Sequence, residues 1–407
     1  MRFLLVALAF LIGTDAVAGD IKFDNISIRS SGFLKNQTAW FDISGLLDSQ
    51  DKQISFAKST IRLDEALLMD NWQAFLSADL QFTTLSGGFG ELADVSGTLF
   101  SGSQRNRLWD PEPFGSADSE LQINPDRAYL IAAIGPVDLK IGRQAISWGS
   151  ALFWKPLDRF GTFSPLDLDP DVKRGVDAAR AEIFFGDTSS LDILSVFEMG
   201  EDDLLVHAGG RLRTTLGHTD LALSFARFQY EDRSNLMGGL EFSGQVGDVG
   251  LRGEASINYS PESSETELFG VVGGDYRLSD GTFLASEFFY NGYGSADPDD
   301  YDSYFMPGSQ KGERLRRGEV FNTGRYYLGI STRKQLHPLL TLSLSLISNL
   351  SDLSSIAGLN LNWSPAQNLA VKAGAMLPFG EKPEGFHLVS EFGAMPIVAF
   401  GVVKYSF

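Results

Sequence analysis

The sequence predicts an all-β transmembrane protein: an antiparallel up-and-down barrel of about eighteen strands, with sixteen as the alternative count. Three observations predict it. Apolar and polar side chains alternate with period two along most of the 407 residues, the pattern of a strand with two different faces. No stretch after Ile12 approaches the ~18 apolar residues of a spanning helix. The chain also ends on an apolar alternation, Ile397, Ala399, Gly401, Val403, Tyr405 and Phe407. A chain that enters a membrane without helices must close into a barrel, because lipid satisfies no open edge.

The N-terminus sets the compartment. Met1-Arg2 is a short positive segment, Phe3 to Ile12 an apolar run too short to span, and Ala16-Val17-Ala18 a small-residue cleavage pattern. Residues 1–18 are expected to be a signal peptide read by the Sec pathway and cleaved after Ala18. Residues 19–407 are expected to form the barrel, in an outer membrane. Cys is absent, so no disulfide closes the fold. The net charge of -19 excludes nucleic acid as a partner. Gly (43) and Phe (31) are abundant, yet mean hydropathy is near zero. A barrel gives that balance, since its polar lumen dilutes its apolar exterior.

In chain order, alternation places strands near 30–42, 53–65, 72–84, 126–135, 137–148, 177–186, 189–200, 203–215, 219–230, 235–246, 248–259, 266–278, 281–292, 322–335, 338–349, 353–364, 367–378 and 395–407. Alternation is imperfect in 137–148 and 219–230, so a bulge is expected in each. With a periplasmic N-terminus, the connections after even strands are short, as at Gly135-Pro136, Gly217-His218 and Gly247-Asp248. The long ones, near 85–125, 149–176 and 293–321, all follow odd strands. Short periplasmic turns and long outer loops are the bacterial barrel pattern.

The polar faces supply the candidate wall of a lumen. Inward positions carry more basic than acidic side chains, and Arg180, Arg211, Arg213 and Arg252 form a candidate basic track. A charged wall of low dielectric concentrates counter-ions, and the planar Arg fork suits carboxylate and phosphate. The alternative is that such arginines pair with acids on adjacent strands and only rigidify the wall. The loop after the fifth strand contains Trp148, Phe153, Trp154, Lys155, Asp158, Arg159 and Phe160. So many large apolar side chains suit a loop folded into the lumen as a constriction, or one capping the mouth. The run Asp297, Asp299, Asp300 and Asp302 reads as a solvated or lipopolysaccharide-facing loop. The four His residues stand in no recognisable metal or nucleophile spacing. No enzyme, cofactor or metal is expected.

Two resemblances add to this reading. The ending on Tyr405 and Phe407 resembles the terminal strand by which the barrel assembly machinery recognises its clients. Ser31 to Ala39, Ile141 to Gly149, Phe153 to Asp158 and Arg174 to Ala178 resemble porin-like outer-membrane proteins of undefined function. That resemblance implies fold and compartment rather than a substrate. Arg143 falls on the apolar face by strict alternation, which a bulge or an inward reach must resolve. Two functions follow as expectations. One is a passive channel for small hydrophilic, anionic solutes. The other is a sheath for a partner such as a periplasmic multihaem cytochrome, which a chain without Cys needs as a separate protein.

Overall fold

The computed structural model describes residues 19–407 except 24, 45–52, 87–106, 117, 162, 170, 201, 232, 307 and 386. The expected signal peptide lies outside the described residues, as does most of the tip of the loop near 85–125. Twenty strands form one sheet. Two of them, Gly19–Phe23 and Phe114–Ser116, are short flanking pieces. The other eighteen form the wall: β1 Ile26–Asp42, β2 Gln53–Leu68, β3 Trp72–Ser86, β4 Ser119–Ile134, β5 Val137–Gln144, β6 Val176–Phe185, β7 Ser189–Met199, β8 Leu204–Leu216, β9 Thr219–Gln229, β10 Ser234–Val246, β11 Val249–Ser260, β12 Glu265–Arg277, β13 Phe283–Asn291, β14 Tyr326–His337, β15 Leu340–Asn349, β16 Ser355–Ala366, β17 Leu369–Phe379 and β18 Ile397–Ser406. Every expected strand is present.

Each wall strand pairs antiparallel with its neighbours in sequence, and β18 pairs with β1 from Phe33↔Ser406 to Asp42↔Ile397. Gly32 and Phe407 exchange backbone hydrogen bonds at 2.9 and 3.0 Å just beyond that ladder. The eighteen-strand wall therefore closes on itself. Period-two alternation then sorts the side chains. Ile141, Leu216, Phe225 and Leu240 are each 60% exposed or more, on the outside. Arg62, Asp79, Asp192, Glu254 and Glu287 lie in the opposite phase and are buried. An apolar band thus rings the exterior while charge faces inward.

The connections divide the barrel into a turn end and a loop end. Those after even strands are no longer than residues 278–282. Long loops 87–118, 145–175 and 292–325 follow odd strands as expected, and a fourth, 380–396, was not anticipated. The loop 292–325 holds a short 3-10 helix, Pro298–Tyr304, and one helical segment, α1 Gln310–Arg316.

The expected bulges are absent. The register of β9 is unbroken against both neighbours, and so is that of β5. The alternation of β9 is blurred because its inward Ala226 and Phe228 face an apolar cluster inside the barrel. In β5, Arg143 stays on the outward side. It pairs there with Asp177 of β6, under residues Arg107 to Asp110, whose Trp109 carbonyl it also binds. That segment continues to Phe114–Ser116 and fills the wall above the short β5. Register shifts instead fall near the turns at Gln335/His337 and Trp363/Ala366 and, within the wall, in β4. Ser77 pairs with Arg127 and Ala78 with Pro125, which leaves Asp126 as the extra residue. Pro125 has no N–H to continue the ladder, and the bulge turns the Asp126 side chain inward, where it is 1% exposed.

Closure generates a prediction. Deleting Tyr405 to Phe407 removes the last rungs of the β1–β18 seam and opens an edge that lipid cannot satisfy. The truncated chain is expected to lose the heat-modifiable band of a closed barrel on an unheated gel. Normal assembly would show that the seam does not need these residues.

Candidate functional site

The loop 145–175 lies inside the barrel, held by carboxylates of the far wall. Glu254 of β11 accepts the backbone N–H groups of Ser150 and Ala151, both at 2.7 Å, and of Leu157 at 3.4 Å. Glu287 of β13 accepts those of Leu152 at 2.6 Å and Phe153 at 2.8 Å. The close approach needs Gly149, at φ +93°, where a Cβ would collide with the Glu254 carboxylate. The loop then crosses back. Asp169 receives Lys35 of β1 at 2.6 Å and Lys372 of β17 at 3.0 Å. Asp171 receives Lys404 of β18 at 3.3 Å. At its end, Gly175 N–H donates to Asp126 at 2.9 Å.

Packing repeats the same crossing. The loop places Ile146, Trp148, Leu157 and Phe160 in one buried cluster, Ala151, Trp154 and Leu166 in a second, and Leu168 in a third. Trp148 meets Phe160 edge-on, with centroids 5.4 Å apart, and Trp154 stacks on Phe289 at 5.2 Å. Three inward glycines form seats. Trp148 rests on Gly209, Leu157 on Gly239 and Phe153 on Gly329, and a Cβ at any of them would collide with the side chain above.

The structure brings the loop candidates together. The Trp154 indole N–H donates to Asn322 at 3.0 Å. Asp158 takes Lys173 at 2.5 Å. Arg159 reaches Tyr230 at 2.9 Å and Glu319 at 3.0 Å. Lys155 lines a small cavity beside Trp154. The four track arginines are not a row of free cations. Arg180 bonds Asp192 at 2.6 Å and Arg211 bonds Glu241 at 2.5 Å. Arg252 pairs with Asp275, and Arg213, half exposed, lies 3.8 Å from Glu182. Sequence reasoning had no sign of Asp126 as a hub. It receives Arg62, Arg107 and Arg127 besides Gly175. The Asn124-Pro125-Asp126 interruption of β4 was the one legible hint.

Between the loop and strands β1 to β4 an open space remains, a cavity of 350 Å³. Arg62 anchors its wall with bonds to Asp64 at 2.8 Å and to Asp79 and Asp126 at 3.0 Å. On the loop side, burial raises the Asp167 carboxyl above its ordinary range. Burial acts on Asp169 as well, but Lys35 and Lys372 outweigh it and hold that carboxyl low. The lining mixes Lys, Arg, Gln, Thr and carboxylates with several Phe rings.

No family model matches the chain, and no curated protein does. Solved structures do. A BenF-like porin from Pseudomonas fluorescens aligns at 12% identity over 93% of this chain and 98% of its own, with TM-score 0.54. The outer membrane protein opdK from Pseudomonas aeruginosa gives 12%, 93%, 98% and 0.53. OccAB4 from Acinetobacter baumannii gives 10%, 93%, 98% and 0.53. At such identity the likeness is one of fold: the chain has the barrel fold of these porins.

The carboxylate clamps can be tested. A hydrogen bond to a charged acceptor contributes about 1.5–3 kcal/mol, and removing the acceptor leaves buried donors unsatisfied. Glu254→Ala combined with Glu287→Ala is expected to release the loop while the barrel stays closed. Trypsin should then cut after Arg159 or Lys173 in the folded protein, where the parent chain resists. Equal resistance of both would show that the apolar clusters hold the loop alone.

Proposed function

We propose that the chain is an outer-membrane channel for the passive passage of small hydrophilic solutes, with a preference for anions. The observation that carries this reading is the polar, charged cavity of 350 Å³ beside the in-folded loop, inside a closed barrel with an apolar exterior. The loop carrying Trp148, Phe153, Trp154, Lys155, Asp158, Arg159 and Phe160 is the constriction. It confines passage to the side of β1 to β4. Because Arg180, Arg211, Arg213 and Arg252 each have an acid nearby, the anion preference rests less on them than on Lys58 and Arg174, the two cavity cations that have no ion-paired acid among the described residues. The remaining parts of the reading are a leader cleaved after Ala18, a C-terminal assembly signal at Tyr405 and Phe407, and acidic loops facing lipopolysaccharide. The sheath reading is disfavoured because the loop takes space that an inserted partner would need.

Removing residues Ser150 to Gly175, with a short Gly-Ser bridge in their place, is expected to raise single-channel conductance severalfold, because a barrel of roughly this strand number is a water-filled pore when unplugged. Conductance of purified protein in a planar bilayer measures it. An unchanged conductance would place the narrowest point elsewhere. A chain that never conducts, with or without the loop, would remove the channel reading.

A further inference from the structure

The fourth outer loop, 380–396, reaches the constriction through one buried side chain. Glu391 is 5% exposed and stands between the outer loops and the wall. Its Oε1 accepts Asn322 Nδ2 at 2.9 Å and the Thr323 N–H at 3.2 Å. Its Oε2 accepts Asn349 Nδ2 at 2.8 Å and the Tyr327 hydroxyl. Among the described residues no cation pairs with it, and Asp352, another acid, accepts the Glu391 N–H at 2.7 Å. A buried carboxylate without a counter-ion depends wholly on such donors.

Two of those donors are what hold Trp154. Its indole N–H donates to Asn322 Oδ1 at 3.0 Å, and the Tyr327 ring lies against the indole with centroids 5.8 Å apart. The stack on Phe289 adds a contact with the wall itself. An indole N–H only donates and an ionised carboxylate only accepts. The Asn322 amide fits between them in a single sense, nitrogen to Glu391 and oxygen to Trp154. Without Glu391 the amide is free to turn, and its nitrogen would then meet the indole donor to donor. Packing does not fix Trp154 by itself. A cavity of 40 Å³ lies against Phe153, Trp154 and Asn322, where a water needs only about 10–15 Å³. Phe392 and Met395 of loop 380–396 belong to the same buried cluster as Trp154, so apolar contacts carry the loop to the site as well.

We propose that Glu391 is the positioning residue of the constriction: through Asn322 and Tyr327 it fixes Trp154, and with it the setting of the in-folded loop. The inference rests on the channel reading for what that loop constricts, but not for the pinning of Trp154. The test is Trp154 fluorescence in the full-length protein in detergent. The chain has 6 Trp, so each variant is read against the same variant carrying Trp154→Phe, and the difference is the emission of Trp154. In the parent that emission should be blue-shifted and shielded from acrylamide. Glu391→Ala should shift it to the red and raise its quenching severalfold, with the heat-modifiable band of a closed barrel retained. Asn322→Leu cuts the same link without touching loop 380–396. It should do the same, and it serves if Glu391→Ala fails to assemble. The double variant should add nothing to the larger single effect, because both changes remove one connection. Glu391→Gln keeps an oxygen for Asn322 and should stay near the parent. His387→Ala cuts the 2.8 Å bond to Asp302 that holds the same loop at its exposed side, and should leave Trp154 unmoved. In bilayers Glu391→Ala, but not His387→Ala, should raise the open-channel current noise severalfold. An unmoved Trp154 in Glu391→Ala and Asn322→Leu would overturn the proposal. So would a shift in His387→Ala as large as in Glu391→Ala, which would make loop 380–396 a lid that loosens as a whole. Shifted emission in a protein that never conducts keeps the pin and loses the channel, and steady emission in one that conducts does the reverse.

Discussion

The interaction on which the interior depends is the acceptance of loop amides by two wall carboxylates. A loop folded into a barrel carries backbone N–H groups away from bulk water, and each needs a partner. Glu254 and Glu287 serve five of them between Ser150 and Leu157. In turn those amides satisfy two buried acids that would otherwise be uncompensated charges. Neither partner is stable inside without the other. Once this stretch is pinned to β11 and β13, Trp148, Trp154 and Phe160 are committed to the interior, and Asp169 is delivered to Lys35 and Lys372 on the opposite wall.

This arrangement changes what the inside of the barrel is made of. A wide barrel with a wet lumen has a polar inner face, but here Val398, Phe400 and Val402 of β18 and Leu194 and Val196 of β7 point inward and are buried beneath the loop. The molecule has an outer apolar surface set by lipid and inner apolar patches set by its own chain. Polar groups concentrate where the loop does not cover the wall, on β2 to β4, and there they form the bonded array around Arg62 and Asp126.

The wall was legible because lipid imposes a strict rule on every second residue. The Leu340 to Leu346 alternation of β15 or the Ile397 to Phe407 alternation of β18 can be read without any other knowledge. Topology was legible from loop lengths. What failed has a common physical cause. Bulges were expected in β9 and β5 because their patterns were mixed, yet β9 is mixed because Phe228 packs inside, and β5 because Arg143 is covered from outside by the segment at Trp109. A two-letter apolar–polar code assumes a lumen of water and an exterior of lipid, and both strands break one of those assumptions. Partners were illegible for the same reason. Arg211 and Glu241 lie 30 residues apart on strands that do not adjoin, and Lys372 lies 203 from Asp169. Their shared neighbour β9 brings the first pair together, and the in-folded loop the second.

The three glycine seats carry a consequence for calibre. Gly209, Gly239 and Gly329 let Trp148, Leu157 and Phe153 lie directly on the backbone of the wall. Any side chain there acts as a shim, lifting the docked loop toward the open cavity by the thickness of an atom. The bore of this barrel is therefore fixed from both sides: the loop supplies the bulk, and three absent side chains decide how far from the wall that bulk must stand.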